Sequence, residues 1–148
     1  MSLIAVVDYG MGNLRSVDKA LEHVAAPGQK VRITSSAEDI ASADRVVFPG
    51  QGAARDCMRE LTERNLVEPV LQAAKEKPFL GICMGLQVLM SHSEENNGVD
   101  CMDLYQGEVR FFGNELNKDD SKESLKIPHM GWNNVIQTIS HPLWHGIK

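Results

Sequence analysis

The chain has 148 residues, of which 43% are apolar and 24% charged, a composition typical of one folded domain rather than of a disordered or collagen-like chain. Fifteen basic and twenty acidic residues give a net charge of −5 without a Lys/Arg cluster, which argues against a nucleic-acid partner. The apolar runs are too short to cross a membrane, we expect no signal peptide, and three irregularly spaced cysteines do not suggest a disulfide framework. We therefore expect a cytoplasmic domain with reduced thiols.

The first two thirds of the chain alternate predicted strands with predicted helices. Apolar runs predict buried strands over residues 3–7, 31–33, 45–48 and 78–82. Helical periodicity predicts helices over residues 14–24, about 53–64, 66–76 and 84–91, and glycine-rich turns follow three of the strands. The alternation predicts an α/β fold with an open, mostly parallel sheet flanked by helices.

After residue 92 the pattern weakens. Residues 93–100 are predicted to be a polar loop, 108–112 a strand, 114–124 a charged loop and 132–136 a short strand. We expect one domain over residues 1–148, since neither an internal repeat nor a linker interrupts it.

The sequence Gly81-Ile82-Cys83-Met84-Gly85 lies between a predicted strand and a predicted helix, which is the thiol version of the nucleophile elbow. A nucleophile on such a sharp turn has a strained backbone, and flanking glycines remove Cβ atoms that would clash. The start of the next helix favours the thiolate of Cys83, and the Met84 N–H is placed to bind an oxyanion. The alternative is a buried structural cysteine.

Two further segments are candidates for the same site. Gln87 lies one helical turn after Cys83 and could bind a small polar substrate through its amide, or could simply face solvent. The turn formed by Gly50, Gln51 and Gly52 follows another buried strand, where open α/β sheets bind ligands, and its bare backbone could complete an oxyanion hole.

Other potential sites are weaker. Cys57 and Cys101 lack the setting of an elbow and are predicted to be inert. Gly10 and Gly12 fit a dinucleotide motif only in part, because Arg15 occupies the position of its third glycine. His141 and His145 have the i, i+4 spacing of a zinc-binding helix, but Pro142 and Gly146 argue against that helix, so no metal site is expected.

These motifs together resemble a class I glutamine amidotransferase, whose fold is flavodoxin-like. Within that family the chain is similar to the glutaminase subunits of imidazole glycerol phosphate synthase. Residues 7–14 are similar to their D-Y-G-x-G-N opening, 127–133 to P-H-M-G-W-N, 141–147 to H-P-L-x-x-G-I, and 107–111 to a further family strand. Gln51 and residues 102–104 depart from the usual family residues without changing the class.

The resemblance implies a hydrolysis of glutamine to glutamate and ammonia without a cofactor. It makes Cys83 the nucleophile, Met84 an oxyanion donor, and Gly50, Gln51, Gly52 and Gln87 the substrate-binding residues. Ammonia would be channelled to a (β/α)8-barrel cyclase, the heterodimer partner in histidine biosynthesis, whose surface would meet Met130 and Trp132.

The resemblance also identifies what this sequence lacks. The family's catalytic histidine and glutamate lie in an H-P-E motif downstream of H-P-L-x-x-G-I, and neither His23, His92, His129 nor His141 matches that position. We therefore expect residues 1–148 to be a C-terminally incomplete domain, without the last strands of the sheet and inactive alone. Alternatives are a non-catalytic module that binds a partner, or an amidotransferase subunit serving another acceptor.

Overall fold

A parallel four-stranded sheet forms the framework of the larger of two units, which are divided near residue 111. The computed structural model describes residues 2–111 and 131–147. The strands have the order β2-β1-β3-β4 and comprise β1 (Ser2–Val7), β2 (Gln29–Thr34), β3 (Arg45–Gly50) and β4 (Phe79–Cys83). The prediction of one domain over residues 1–148 stays a prediction.

Five helices connect and flank these strands. They are α1 (Leu14–Val24), α2 (Ala37–Ser42), α3 (Ala54–Glu63), α4 (Val67–Glu76) and α5 (Met84–Gln87). The predicted α/β class with a mostly parallel sheet is confirmed. None of the helices in the described residues is long and apolar enough to span a membrane.

Strand β1 is apolar from Leu3 to Val7 because both faces of the sheet are covered around it. Ala5 and Val7 belong to the larger core, which includes residues of α2, α3 and α4. Ile4 and Val6 belong to a smaller core, against which α1 packs. The period-2 alternation of side chains across a strand therefore distributes one apolar run between two cores.

A small second sheet follows the elbow and replaces the end of a predicted helix. It has the order β6-β5-β7, with β5 (Met90–Ser93), β6 (Val99–Asp100) and β7 (Tyr105–Val109), and a 3₁₀ turn over Glu95–Asn97. The prediction of a helix over 84–91 is wrong beyond Gln87, because Met90 and Ser91 belong to β5 and pair with β7, and the carbonyls of Val88, Leu89 and Met90 accept from the amides of residues 102–105. The predicted polar loop over 93–100 is likewise partly strand.

The strand predicted at 108–112 lies earlier, at Tyr105–Val109. The strand predicted at 132–136 is wrong, since residues 131–140 are without regular structure. A strand needs a hydrogen-bonded neighbour, and the described part of the second unit, residues 131–147, contains only a 3₁₀ turn, Pro142–Trp144. The predicted charged loop over 114–124 lies outside the described residues.

Candidate active site

Cys83 is the junction between β4 and α5 and has the backbone geometry expected of an elbow. Its φ is 55° and its ψ −118°, and its side chain is exposed. The other non-glycine residues with positive φ in the described chain are all Asn or Asp, whose short polar side chains tolerate this region. Such a conformation costs on the order of 1–3 kcal/mol and persists only where neighbouring structure fixes it.

The glycines on the two sides of Cys83 lack room for a side chain because of different contacts. A Cβ on Gly81 would lie 2.9 Å from the Gly85 carbonyl oxygen, so Gly81 relieves crowding inside the turn, as expected. A Cβ on Gly85 would lie 1.9 Å from the carbonyl oxygen of Phe48 in β3. Gly85 therefore allows the elbow to press against the neighbouring strand.

The structure brings the Gly50–Gly52 turn next to the elbow. Gly50 is the last residue of β3 and is paired in register with Cys83. A Cβ on Gly50 would lie 2.4 Å from the Gly85 backbone nitrogen and 2.7 Å from the Tyr9 hydroxyl. Gln51 and Gly52 are exposed, and Gly52 has a φ of 91°. The backbones of two separate turns thus form adjacent walls beside one exposed thiol.

Helix α5 is a single turn that contains two of the predicted site residues. Met84 is its first residue and its side chain is buried, while Gln87 is its last residue and half-buried. Gln87 lies four residues after Cys83, which places it one helical turn along the chain. The helix behind the thiol is accordingly much shorter than predicted.

Two buried side chains beneath the turn are not identified as functional from the sequence. Tyr9 is fully buried, its ring centroid lies 5.2 Å from that of Phe48, and its hydroxyl donates to the Cys57 Sγ at 3.6 Å. The Cys57 thiol in turn donates to the Gln51 carbonyl oxygen at 3.6 Å. Burial raises the pKa of the Tyr9 phenol and of the Cys57 thiol, so both groups keep their protons at neutral pH.

The start of α3, directly after the turn, is held by the second sheet's connecting loop. A Glu95 carboxylate oxygen accepts a hydrogen bond from the Ala54 backbone N–H at 2.7 Å. The Arg55 guanidinium donates to the Asn96 carbonyl oxygen at 2.6 Å. A carboxylate at a helix N-terminus satisfies a free N–H and is favoured by the helix dipole. The loop therefore anchors one end of the candidate site.

Two of the histidines weighed above as the catalytic base have other hydrogen-bond partners. His92 Nδ1 lies 3.1 Å from an Asp100 carboxylate oxygen in the β5–β6 pair. His141 Nδ1 accepts from the Leu143 N–H and caps the 3₁₀ turn of the second unit. His129 and Met130 lie outside the described residues, and Trp132 is fully exposed. Across residues 2–111 and 131–147 we find no cluster of three His, Cys, Asp or Glu residues suited to a metal ion.

Comparison with known proteins places these motifs in a family. The family described as glutamine amidotransferase class-I matches residues 5–148. The chain is 58% identical over 146 residues to the imidazole glycerol phosphate synthase subunit HisH of Hydrogenovibrio crunogenus, covering 99% of this chain and 66% of that protein. It is 61% identical to the HisH subunit of Thiobacillus denitrificans, covering 98% and 63%, and 58% identical to that of Pseudomonas putida, covering 99% and 68%.

The chain therefore spans about two thirds of the length of these relatives. Among solved structures it is similar to a crystal structure of a putative peptidase E protein from Listeria monocytogenes, with a TM-score of 0.55 and 14% identity. That match covers 70% of this chain and 63% of the other. At that identity the likeness concerns the fold alone.

Proposed function

The chain belongs to the class-I glutamine amidotransferase family, and from this premise we propose that it hydrolyses glutamine to glutamate and ammonia as the glutaminase subunit of an imidazole glycerol phosphate synthase. The observation that carries the proposal is the strained backbone of Cys83, exposed between two glycines at the end of a parallel strand. A strained and accessible thiol is unusual for a structural cysteine and suits a nucleophile.

The proposed reaction proceeds through a thioester. The Cys83 thiolate attacks the side-chain amide carbon of glutamine, and the carbonyl oxygen becomes an oxyanion. Collapse of this tetrahedral species expels ammonia, after the amide nitrogen has gained a proton, and leaves a glutamyl thioester. Water then attacks the thioester, which gives glutamate and regenerates the thiol. Each step needs a general acid or base beside the sulfur.

The residues around Cys83 supply the binding functions in this proposal. The Met84 N–H and the backbone of the Gly50–Gly52 turn would stabilise the oxyanion, because the turn and the elbow have adjacent backbones. The Gln87 amide would hold the polar end of glutamine. The general acid and base in this proposal are the histidine and glutamate of the H-P-E motif that the family resemblance implies.

The proposal extends to a partner in the cytoplasm. The relatives are named as subunits of a synthase, and the family resemblance makes the other subunit a (β/α)8-barrel cyclase that receives ammonia for histidine biosynthesis. The lyase chemistry would then belong to the partner. Met130 and the exposed Trp132 are the residues we propose at this interface.

The proposal is tested by purifying the full gene-encoded protein together with the cyclase and measuring the release of glutamate from glutamine. We expect the Cys83→Ser variant to lose at least about a thousandfold in kcat, as removal of a catalytic nucleophile does, and the Cys101→Ser variant to retain its activity. A complex that forms but leaves glutamine intact would instead identify a non-catalytic binding module. Co-purification of a different acceptor domain would assign the ammonia to another pathway.

A further inference from the structure

A chain of two hydrogen bonds connects the buried end of β1 to the candidate substrate turn. Tyr9, two residues after β1, donates to Cys57 of α3, and Cys57 donates to the Gln51 carbonyl oxygen, with both donor–acceptor distances 3.6 Å. Tyr9 and Cys57 are each completely buried, whereas Gln51 is exposed. The two side chains therefore link the core to one peptide of the turn.

The Gln51 carbonyl matters because a trans peptide is planar. Its C=O and the following N–H point in opposite directions, so a bond that fixes the Gln51 carbonyl also fixes the direction of the Gly52 N–H. This peptide joins Gln51 to Gly52, and the glycine on its nitrogen side offers little resistance to rotation. A turn of this composition needs an external contact to select one peptide orientation.

The direction of the two hydrogen bonds follows from the Gln51 carbonyl oxygen, which can only accept, so Cys57 must donate to it and Tyr9 to Cys57. Because burial raises the pKa of both the phenol and the thiol, neither is ionised near pH 7, and each remains a donor. The Tyr9 hydroxyl also lies 2.7 Å from the position that a Cβ on Gly50 would occupy. The phenol thus contacts the turn at two points, directly at Gly50 and through Cys57 at Gln51.

We propose that Tyr9 and Cys57 are positioning residues that hold the Gly50–Gly52 turn in the orientation needed to bind glutamine and its oxyanion. The inference rests on the proposed glutaminase function and deepens it. Neither side chain touches the substrate, and both act through the Gln51 carbonyl. Cys57, which the sequence predicts to be inert, remains chemically unreactive but becomes functionally necessary.

Two rates measured on the gene-encoded protein with its partner separate positioning from structure. The first is kcat/KM for glutamine, which depends on the turn. The second is alkylation of Cys83 by iodoacetamide, which needs only an accessible thiolate. We expect Tyr9→Phe and Cys57→Ala to lower kcat/KM about fivefold or more, the equivalent of one hydrogen bond, without changing the alkylation rate.

Conservative and matched variants make the result decisive. Cys57→Ser keeps a donor and an acceptor, so it should retain the hydrogen bonds to Tyr9 and Gln51. Its kcat/KM should stay within about threefold of the parent value, a smaller change than the loss of about fivefold expected when one hydrogen bond is removed. Cys101 provides the control, because its thiol also donates to a backbone carbonyl, that of Val99, at 3.6 Å, in the segment of the second sheet. Cys101→Ala should therefore leave kcat/KM unchanged.

Two different failures are distinguishable. If Tyr9→Phe and Cys57→Ala remain folded, as judged by thermal unfolding, and both keep the parent kcat/KM, the positioning role is wrong while the glutaminase stands. If the parent itself releases no glutamate, the proposed function fails and the inference falls with it. Should Cys57→Ala not fold, Tyr9→Phe and Cys57→Ser decide the question alone, since both retain most of the side-chain volume.

Discussion

A φ of 55° at Cys83 is maintained by close backbone packing on two sides of the elbow. Gly81 gives the turn room within itself, and Gly85 gives it room against Phe48 of β3. These two contacts differ in kind, because only the second joins the elbow to another strand. The elbow is therefore part of the sheet's packing as well as a feature of the local sequence.

The Gly85→Ala variant tests this packing. Its Cβ would come within 1.9 Å of the Phe48 carbonyl oxygen, so β3 or the elbow must move, and we expect a loss of about 3 kcal/mol in the free energy of unfolding. Gly28→Ala is the control, because Gly28 has a φ of 87° but nothing within 4 Å of its Cβ position. That variant should lose only about 1 kcal/mol, the cost of positive φ. If urea unfolding shows equal losses of free energy for the two variants, close packing against Phe48 does not determine the effect.

The residues of the candidate site differ in how far the sequence alone reveals them. Cys83 and its flanking glycines are predicted from five consecutive residues, because the strain of the turn is local. Tyr9 and Cys57 are 48 positions apart, and their contact depends on how α3 packs against the end of β1. An aromatic residue at the end of a buried strand is the one available signal, and it does not reveal its partner.

At the scale of elements, short helices are harder to predict than long ones. Helix α2 has six residues and is not predicted by periodicity, although Ser36 and Asp39 form an N-cap signature that could have indicated it. The helix predicted at 84–91 ends at Gln87 because the residues from Met90 onward form β5 and pair with β7. Hydrophobic periodicity does not reveal this pairing, since the partner strand comes from later in the chain.

Lys77 offers a test of how α2 is held. Its ammonium group donates to the carbonyl oxygens of Ile40, Ala41 and Ala43 at the end of α2. A cation bound to the last carbonyls of a helix satisfies them and is favoured by the helix dipole. We expect Lys77→Met to lower the free energy of unfolding by about 1–2 kcal/mol, from hydrogen bonds to a charged donor.

The control for Lys77 is Lys75→Met on the exposed surface of α4. This variant removes an equal charge, from the last turn of α4, without removing hydrogen bonds to the end of α2 like those of Lys77, so its stability should change by less than about 0.5 kcal/mol. Both values come from urea unfolding at one ionic strength. A loss at Lys75 equal to that at Lys77 would show that net charge, not capping, determines the effect.

For the molecule as a whole, its buried phenol and thiol predict that the free energy of unfolding falls at alkaline pH. Burial raises the pKa of Tyr9 and Cys57 in the folded protein above their ordinary values of 10.0 and 9.0. As the pH rises above about 9, the unfolded chain releases protons that the folded protein retains. The stabilisation is therefore complete below pH 9 and is lost at higher pH, by up to about 1.4 kcal/mol per pH unit for each group.

Urea unfolding between pH 7 and 11 checks the sign and the source of this effect. The free energy of unfolding should fall above pH 9, and Tyr9→Phe should make the fall between pH 10 and 11 less steep. Tyr105→Phe, at an exposed tyrosine, is the matched control for the loss of a phenol. A free energy that stays constant to pH 11, or an equal effect of the two variants, would contradict the burial of an ionisable phenol.

Labelling with a chloroketone analogue of glutamine tests most directly whether Cys83 is the nucleophile. The full gene-encoded protein is treated with this reagent, and peptide mass spectrometry identifies the labelled residue. Three thiols lie in different settings: Cys83 is exposed, Cys101 intermediate and Cys57 buried. We expect one label, on Cys83, whose formation glutamine slows and the Cys83→Ser substitution abolishes. Labelling of Cys101 at a comparable rate, or labelling of Cys83 that glutamine does not slow, would contradict a glutamine-specific nucleophile.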